Sequence, residues 1–444
     1  MHDVVVLGGG PGGYATAFRA AARGLDVALV EGGELGGTCL HRGCIPSKAI
    51  LHVAGVMEEV HRAPLLGLQL RFDGLDGDGL DGFRHGVITR LTKGLELLAG
   101  QRTRLHRGWG RVLRHDDDGL AVAVTGEDGA TTEVPGRHVV LATGSVPRTL
   151  PGVEVDGEVV QTSDQALWFR QAPRRAVIIG AGAIGMEFAS MWQPFGTEVT
   201  VVEALDRVLP LEDADSSAAV ADAFRRRGID VLTGARVSEV RRDGEVGHVD
   251  LEVDGTVRSL AAEVVLVATG RDPHTAGSGA EELGVLDDRG YVRTDAFGAT
   301  EVPGLWAVGD LRPTLALAHA AFAEGVVVAD RIAGVDRVQP VDHVHTPRVT
   351  YCHPEVASVG LTEAEARERF GEVVVTRTSF RANAKGIIAG SDGAVKVIHA
   401  AEGPPAGATG GAGPVLGVHI VGPLATELIG EAFQSAAGVP LHGH

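Results

Sequence analysis

Cysteine, tyrosine and methionine are scarce in this 444-residue chain, which holds three, three and four of them, and aromatic residues make up only 4%. So few cysteines exclude a disulfide-stapled scaffold. A chain of this length instead divides into about two to four domains, each able to bury its own core. Positive charge is also in short supply: 40 Lys and Arg against 58 Asp and Glu leave a net charge of -18 and a pI near 5.4. That balance excludes a nucleic-acid or anionic-membrane partner, since either requires clustered basic residues. No apolar run reaches the roughly 18 residues of a membrane span. The chain enters an apolar strand at Val4 with no basic leader before it, which predicts a cytoplasmic protein. Glycine, by contrast, is abundant at 63 residues, as expected of an α/β protein with tight turns and loops that pass close to ligands.

Two of the three cysteines, Cys39 and Cys44, fall in the stretch Gly36-Gly37-Thr38-Cys39-Leu40-His41-Arg42-Gly43-Cys44-Ile45-Pro46-Ser47-Lys48. Half of a zinc site is one reading, but a structural zinc takes four ligands and Cys352 stands alone far down the chain. No metal site is therefore expected. A couple cycling between dithiol and disulfide is the other reading, favoured because a disulfide in a reducing compartment is more often catalytic than structural. A helix is predicted from Ser47 to about Arg62, with Ile50, Val53, Met57 and Val60 on its buried face. Cys44 then sits at a helix N-terminus, where the dipole favours a thiolate.

Upstream, Val4–Leu7 reads as a strand, Gly8-Gly9-Gly10-Pro11-Gly12-Gly13 as a turn, and an Ala-rich helix leads to the strand Val27–Glu31. Gly8, Gly10 and Gly13 make G-x-G-x-x-G, which turns the chain, admits a pyrophosphate to the backbone and packs helix on strand, while Glu31 can accept from ribose hydroxyls. The pattern recurs at Gly180, Gly182 and Gly185 between the strands Ala176–Ile179 and Val199–Val202, closed by Glu203. The first glycine precedes the acid by 23 residues in both cases. Two units in register predict two bound dinucleotides with an electron path between them. An acid at position 203 repels a 2'-phosphate and favours NAD, with Arg207 nearby read as a solvated surface residue.

Other elements follow by pattern. A helix is expected over about Val87–Ala99, and short strands over 104–135 with turns at Asp116–Gly119 and Glu127–Gly129. The buried strand 139–145 has a near copy at 264–270, and Leu305–Asp310 is a strand ending in Gly-Asp before a helix that opens around Leu315–His319. Beyond about Pro340 the texture turns antiparallel, with strands at 348–351, 373–380, 394–399 and 415–421 and helices at 363–370 and about 424–437. The stretch 402–413 is low in complexity and reads as a mobile hairpin loop.

The whole chain to about Glu431 resembles the pyridine nucleotide-disulfide oxidoreductases, most closely the dihydrolipoamide dehydrogenase branch. The resemblance is carried by Gly36–Lys48, Ala142-Thr143-Gly144, Gly309-Asp310, Leu317-Ala318-His319 and Tyr351–Gly360. It implies two Rossmann-like FAD- and NAD-binding domains plus a C-terminal α+β interface (dimerisation) domain: FAD on 1–147, NAD on 148–270, a return to the FAD/central domain over 271–339, and the interface domain over 340–444. FAD would lie on Gly8, Gly10, Gly13, Glu31, Thr38, Lys48, Gly110, Thr143, Gly144, Ser145, Asp310 and Ala318, and NAD on Gly180, Gly182, Gly185, Glu203, Val237 and Gly270. Lys48 would pair with Glu187, Cys44 would face the flavin and Cys39 would exchange with substrate. Implied partners are lipoamide or another small disulfide, a second copy of the chain, and the core of a 2-oxo acid dehydrogenase complex.

One family feature is absent. The catalytic base of the family is a His in a His-Pro-x-x-x-Glu segment, delivered by the partner subunit, and this sequence has none. His353-Pro354 does not qualify, since it reads as part of the first interface strand and no acid stands at the required offset. The tail holds His442 and His444, read as disordered rather than as substitutes. The expectation is that FAD binding and NADH oxidation by artificial acceptors persist while lipoamide turnover falls severely. The alternatives are an NADH diaphorase or quinone reductase, a reductase of another low-molecular-weight disulfide, and a non-catalytic subunit of a 2-oxo acid dehydrogenase complex. Intact Cys39, Cys44 and Lys48 argue against the last of these.

Overall fold

The computed structural model describes residues 1–114, 119–390, 393–401 and 413–436. Most of the expected turn at Asp116–Gly119, nearly all of the low-complexity stretch and the tail with His442 and His444 lie outside the described residues. The chain forms two compact units: Met1–Ala49, Asp81–Pro147 and Arg271–His343 make the first, and Ile50–Leu80, Arg148–Gly270 and Val344–His444 the second.

The first unit is built on a seven-stranded sheet. Strands Arg104–Arg107, Val27–Glu31, His2–Leu7 and the C-terminal half of Thr131–Leu141 run parallel, and Leu305–Ala307 adds to the far side of the last. The other half of Thr131–Leu141 pairs antiparallel with Leu120–Thr125, which pairs with Trp109–Arg114. Val4–Leu7, Val27–Val30 and Val139–Leu141 are fully or almost fully buried, because a parallel sheet covered on both faces needs continuous apolar strands. Helices Pro11–Ala22 and Ala318–Ile332 pack together through small residues. A Cβ on Gly325 would stand 2.6 Å from the Gly12 carbonyl oxygen. The pair is pinned by Asp330, which receives Arg19 at 2.7 and 2.8 Å and Arg23 at 2.8 Å.

The second unit holds a five-stranded parallel sheet in the order Asp230–Leu232, Glu198–Val202, Arg175–Ile179, Val264–Val267, Val160–Gln161, with the meander Arg236–Asp243, Val246–Val253 and Thr256–Ala262. Its C-terminal part is a five-stranded antiparallel sheet, Arg348–Thr350, Val356–Gly360, Val415–Val421, Ala394–Ala400 and Val373–Ser379. Two Rossmann-like sheets and a C-terminal α+β layer are thus present.

Across the last sheet, Arg348, Ser358, His419, Lys396 and Arg377 stand in one register row. Acids meet that row from the start of the helix Ala214–Arg226 and from the helix Glu363–Phe370. Buried Lys396 Nζ lies 2.7 Å from Asp213, 2.9 Å from Asp215 and 2.8 Å from Glu363. Arg377 reaches Asp215 and Glu363, and Arg348 reaches Glu212.

Some expectations need correction. His353-Pro354 belongs to no strand: it lies in the connection between Arg348–Thr350 and the buried strand Val356–Gly360, an element the sequence pattern did not reveal. The helix expected over Val87–Ala99 runs from Gly77 to Arg102, the one expected from Ser47 begins at Cys44, and a short helix Ala384–Ala389 is additional.

Candidate active site

Both glycine loops have the same construction. Gly10 and Gly182 each cap the following helix with φ -74° and ψ -177°. In each loop the outer glycines have no room for a side chain: a Cβ on Gly8 or Gly180 would meet the carbonyl of Ala142 or Ala268, and one on Gly13 or Gly185 would meet the carbonyl of Gly8 or Gly180. The middle glycine differs. A Cβ on Gly10 would find its nearest neighbour 3.9 Å away, and one on Gly182 would find nothing within 4 Å. Space is therefore left where free helix amides point, which suits a pyrophosphate. The acids also correspond. Glu31 accepts from Gly9 N at 2.6 Å and Gly33 N at 2.7 Å, and Glu203 from Ala181 N at 2.7 Å and Leu205 N at 2.9 Å. Each carboxylate is thus fixed beside its loop with lone pairs left for ribose hydroxyls.

In the first unit the cysteine stretch is attached directly to the glycine loop. Gly36 N donates to Gly9 O at 2.8 Å, and a Cβ on Gly37 would stand 2.9 Å from Gly10 Cα. Gly36 and Gly37 adopt φ of 111° and 56°, a turn that glycine makes without strain. Thr38 and Cys39 follow on the short helix Gly37–His41, and Cys44 is the first residue of the helix Cys44–Arg62. Both side chains are half-buried thiols. They share a side-chain hydrogen bond, and this, with burial and the charge of Cys44, pushes the Cys39 thiol far above its ordinary range, while the Lys48 ammonium pulls the other way.

The remaining expected FAD residues of this unit are spread over strands, loops and a helix start. Gly110 faces the sheet core, where a Cβ would come within 2.9 Å of Val122 and 3.0 Å of Val30. Thr143 Oγ1 donates to His274 O at 2.5 Å, and His274 N donates to Gly144 O at 2.8 Å. Ser145 Oγ donates to Asp310 Oδ2 at 2.6 Å, and Arg271 donates to both Ser145 oxygens at 2.7 Å. Ala318 is the first residue of its helix, where backbone amides lack intrahelical partners.

Several supporting residues escaped the sequence reading. Glu324 is 1% exposed and accepts from Gly309 N at 2.7 Å and Thr314 Oγ1 at 2.9 Å, with Arg312 Nη1 at 3.2 Å. It holds the Gly309-Asp310 elbow. Tyr14 packs edge-on against Phe322 with ring centroids 5.2 Å apart. Burial, then the charges of Cys39 and Cys44, push its hydroxyl up to about 12. The only sequence signal for Tyr14 was its place one helical turn past Gly10, and Glu324 had none.

In the second unit Gly180, Gly182, Gly185 and Glu203 form the loop described above. Gly270 takes φ 119° and accepts from Arg148 N at 2.9 Å, and Val237 lies at a register shift in the meander. Arg207 is exposed and donates to Pro210 O. Glu187 is buried on the loop helix and accepts from Tyr351 N at 3.0 Å. Lys48, its expected partner, belongs to the first unit.

Among the described residues no three His, Cys, Asp or Glu side chains gather to hold a metal ion, and no helix is long and apolar enough to cross a membrane.

Comparison with known proteins matches residues 2–325 to the pyridine nucleotide-disulphide oxidoreductase profile and residues 346–437 to the dimerisation domain of the same group. A dihydrolipoyl dehydrogenase of Zymomonas mobilis is 39% identical over 430 residues, covering 96% of this chain and 90% of the relative. One from Bacillus subtilis is 37% identical over 440 residues, covering 97% and 90%. The crystal structure of LpdA from Mycobacterium tuberculosis superposes with a TM-score of 0.88 at 27% identity, covering 98% of this chain and 93% of that one.

Proposed function

The chain belongs to the pyridine nucleotide-disulphide oxidoreductase family, and from that premise we propose that it catalyses the dihydrolipoyl dehydrogenase reaction, dihydrolipoamide and NAD giving lipoamide and NADH. The observation that carries the reading is the hydrogen-bonded Cys39 and Cys44 pair, joined to the first dinucleotide loop through Gly36 N and Gly9 O. FAD is the ligand of the first unit and NAD of the second, the open middle glycines and the two fixed carboxylates being the features that fit them. When bound, FAD supplies a two-electron relay between the nicotinamide and the disulfide.

The protein's own residues account for the sulfur chemistry. A substrate thiolate attacks Cys39 Sγ of the oxidised pair, the Cys39–Cys44 bond breaks, and Cys44 leaves as a thiolate at the helix N-terminus. The second substrate thiol attacks the mixed disulfide. Lipoamide departs, and Cys39 takes up the proton that its raised thiol range favours. The ammonium of Lys48, one turn beyond Cys44, lowers the cost of negative charge on the pair. Ser145 and Asp310 orient cofactor hydroxyls, and the helix that opens at Ala318 offers backbone amides to the flavin ring.

The dimerisation-domain match over 346–437 supports a homodimer, and lipoamide as substrate makes a 2-oxo acid dehydrogenase core the docking partner. The thiol pair works reduced for half of each cycle, which suits the cytoplasm.

The test is anaerobic titration of the yellow protein with NADH. A long-wavelength thiolate-to-flavin band is expected, together with alkylation of Cys39 by iodoacetamide only after reduction. Cys44→Ser should abolish the band and Cys39→Ser should retain it. A colourless protein, or a band that survives in Cys44→Ser, would sink the reading.

A further inference from the structure

Trp109 is 68% exposed, whereas Trp192 is buried and Trp168 and Trp306 are half-buried. Its ring is nevertheless fixed in place. A Cβ built on Gly32 would stand 2.6 to 3.0 Å from three atoms of the benzenoid ring, so the indole rests on the bare backbone of Gly32. Gly32 follows Glu31, and Gly33 N closes the turn by donating to Glu31 Oε1 at 2.7 Å. Arg107, paired in register with Glu31, secures the same turn by donating to Gly33 O at 3.0 Å while holding Glu96 at 2.8 Å. The next residue, Gly110, faces the sheet core, so strand alternation puts the Trp109 side chain on the opposite side.

An anchored aromatic face therefore lies open one residue beyond the carboxylate that meets ribose, at the carboxyl end of a parallel strand where dinucleotides bind. The next group beyond such a ribose is a purine. We propose that Trp109 is the stacking platform for the adenine of FAD. The assignment rests on the FAD reading of the first unit and adds to it a residue that sets how firmly the adenosine end is held. Aromatic stacking on a base is sequence-tolerant and needs only a flat face held at a fixed height. The rigid seat on Gly32 provides that height.

The experiment compares wild type, Trp109→Ala and Trp109→Phe as full-length chains. It measures the rate of FAD release from the yellow protein and, after the flavin is stripped, the affinities for FAD, ADP and FMN. Trp109→Ala should release FAD faster and bind FAD and ADP more weakly, each on the order of tenfold. FMN, which has no adenine, should bind all three proteins alike, and Trp109→Phe should stay close to wild type because it keeps an aromatic face. Unchanged FAD and ADP affinity in Trp109→Ala overturns the assignment, as does an equal loss for FMN, which would mark general damage to the fold. A wild-type protein that takes up no FAD overturns the functional reading itself, a result distinct from either.

Discussion

The hydroxyl of Ser145 donates to Asp310 at 2.6 Å, since a carboxylate can only accept, and accepts in turn from Arg271 at 2.7 Å. The Asp310 carboxylate is thereby held in orientation, with lone pairs left for a ligand. Ser145→Ala removes a hydrogen bond to a charged group, typically worth about 1.5–3 kcal/mol. FAD should leave about tenfold faster, read as the rise in free-flavin fluorescence. Release at the wild-type rate would show that Asp310 does not depend on Ser145.

Glu203 accepts two backbone amides of its own loop, at 2.7 and 2.9 Å. Glutamine can match only one of them and carries no charge to repel a 2'-phosphate. Glu203→Gln should raise KM for NADH about tenfold, leave kcat and FAD content near wild type, and narrow the preference for NADH over NADPH. Steady-state kinetics with both cofactors checks this, and an unchanged preference would remove Glu203 from cofactor selection.

Asp330 and Glu363 are both held at about 2, Asp330 chiefly by its hydrogen bond with Arg19 and Glu363 chiefly by Lys396. Each folded value lies below the unfolded one, near 3.8 for Asp330 and 4.5 for Glu363. The stability they contribute is therefore complete above the unfolded values and is lost as pH falls toward 2. Urea midpoints should hold steady from pH 7 to 5 and fall steeply between 4 and 2, an interval set by those values. Lys396→Met takes the ammonium away from buried Asp213, while Asp215 and Glu363 keep Arg377, and should cost about 3–5 kcal/mol at neutral pH. The loss should shrink as acid neutralises the carboxylates. An equal loss at both ends of the range would contradict the ion-pair origin.

His-Pro-x-x-x-Glu does not occur in these 444 residues, and general acid-base catalysis is typically worth about 10² to 10⁴-fold. A protein consisting of this sequence alone should oxidise NADH with ferricyanide as fast as a family member that carries the segment and turn over lipoamide about 10² to 10⁴-fold more slowly than that member. Lipoamide turnover equal to that member's would mean that another group serves as the base.

What the sequence made legible was what repeats or sits close together. The two glycine loops, their acids and the cysteine stretch are local, and a period carries them. Glu324 was invisible because its partner Gly309 lies 15 residues away and no pattern joins them; Ser145 and Arg271 are 126 apart. The helix Gly77–Arg102 looked shorter because Gly79, Gly82, Gly86 and Gly100 weaken the signal at its two ends, each costing roughly 1 kcal/mol against Ala. Val356–Gly360 was missed because a fully buried strand of small residues shows no alternation.

The row of Arg348, Ser358, His419, Lys396 and Arg377 also constrains assembly of the sheet. Side chains alternate between faces every residue, so a strand that slipped by one position would send its polar member to the opposite face and, in the strands that carry Ser358, His419 and Lys396, bring Ala, Val or Ile into the row met by Asp213, Asp215 and Glu363. Each strand contributes one member to the row, so each pairing is checked separately and a misaligned strand is penalised wherever it occurs. The charges act as a proofreading device for strand alignment.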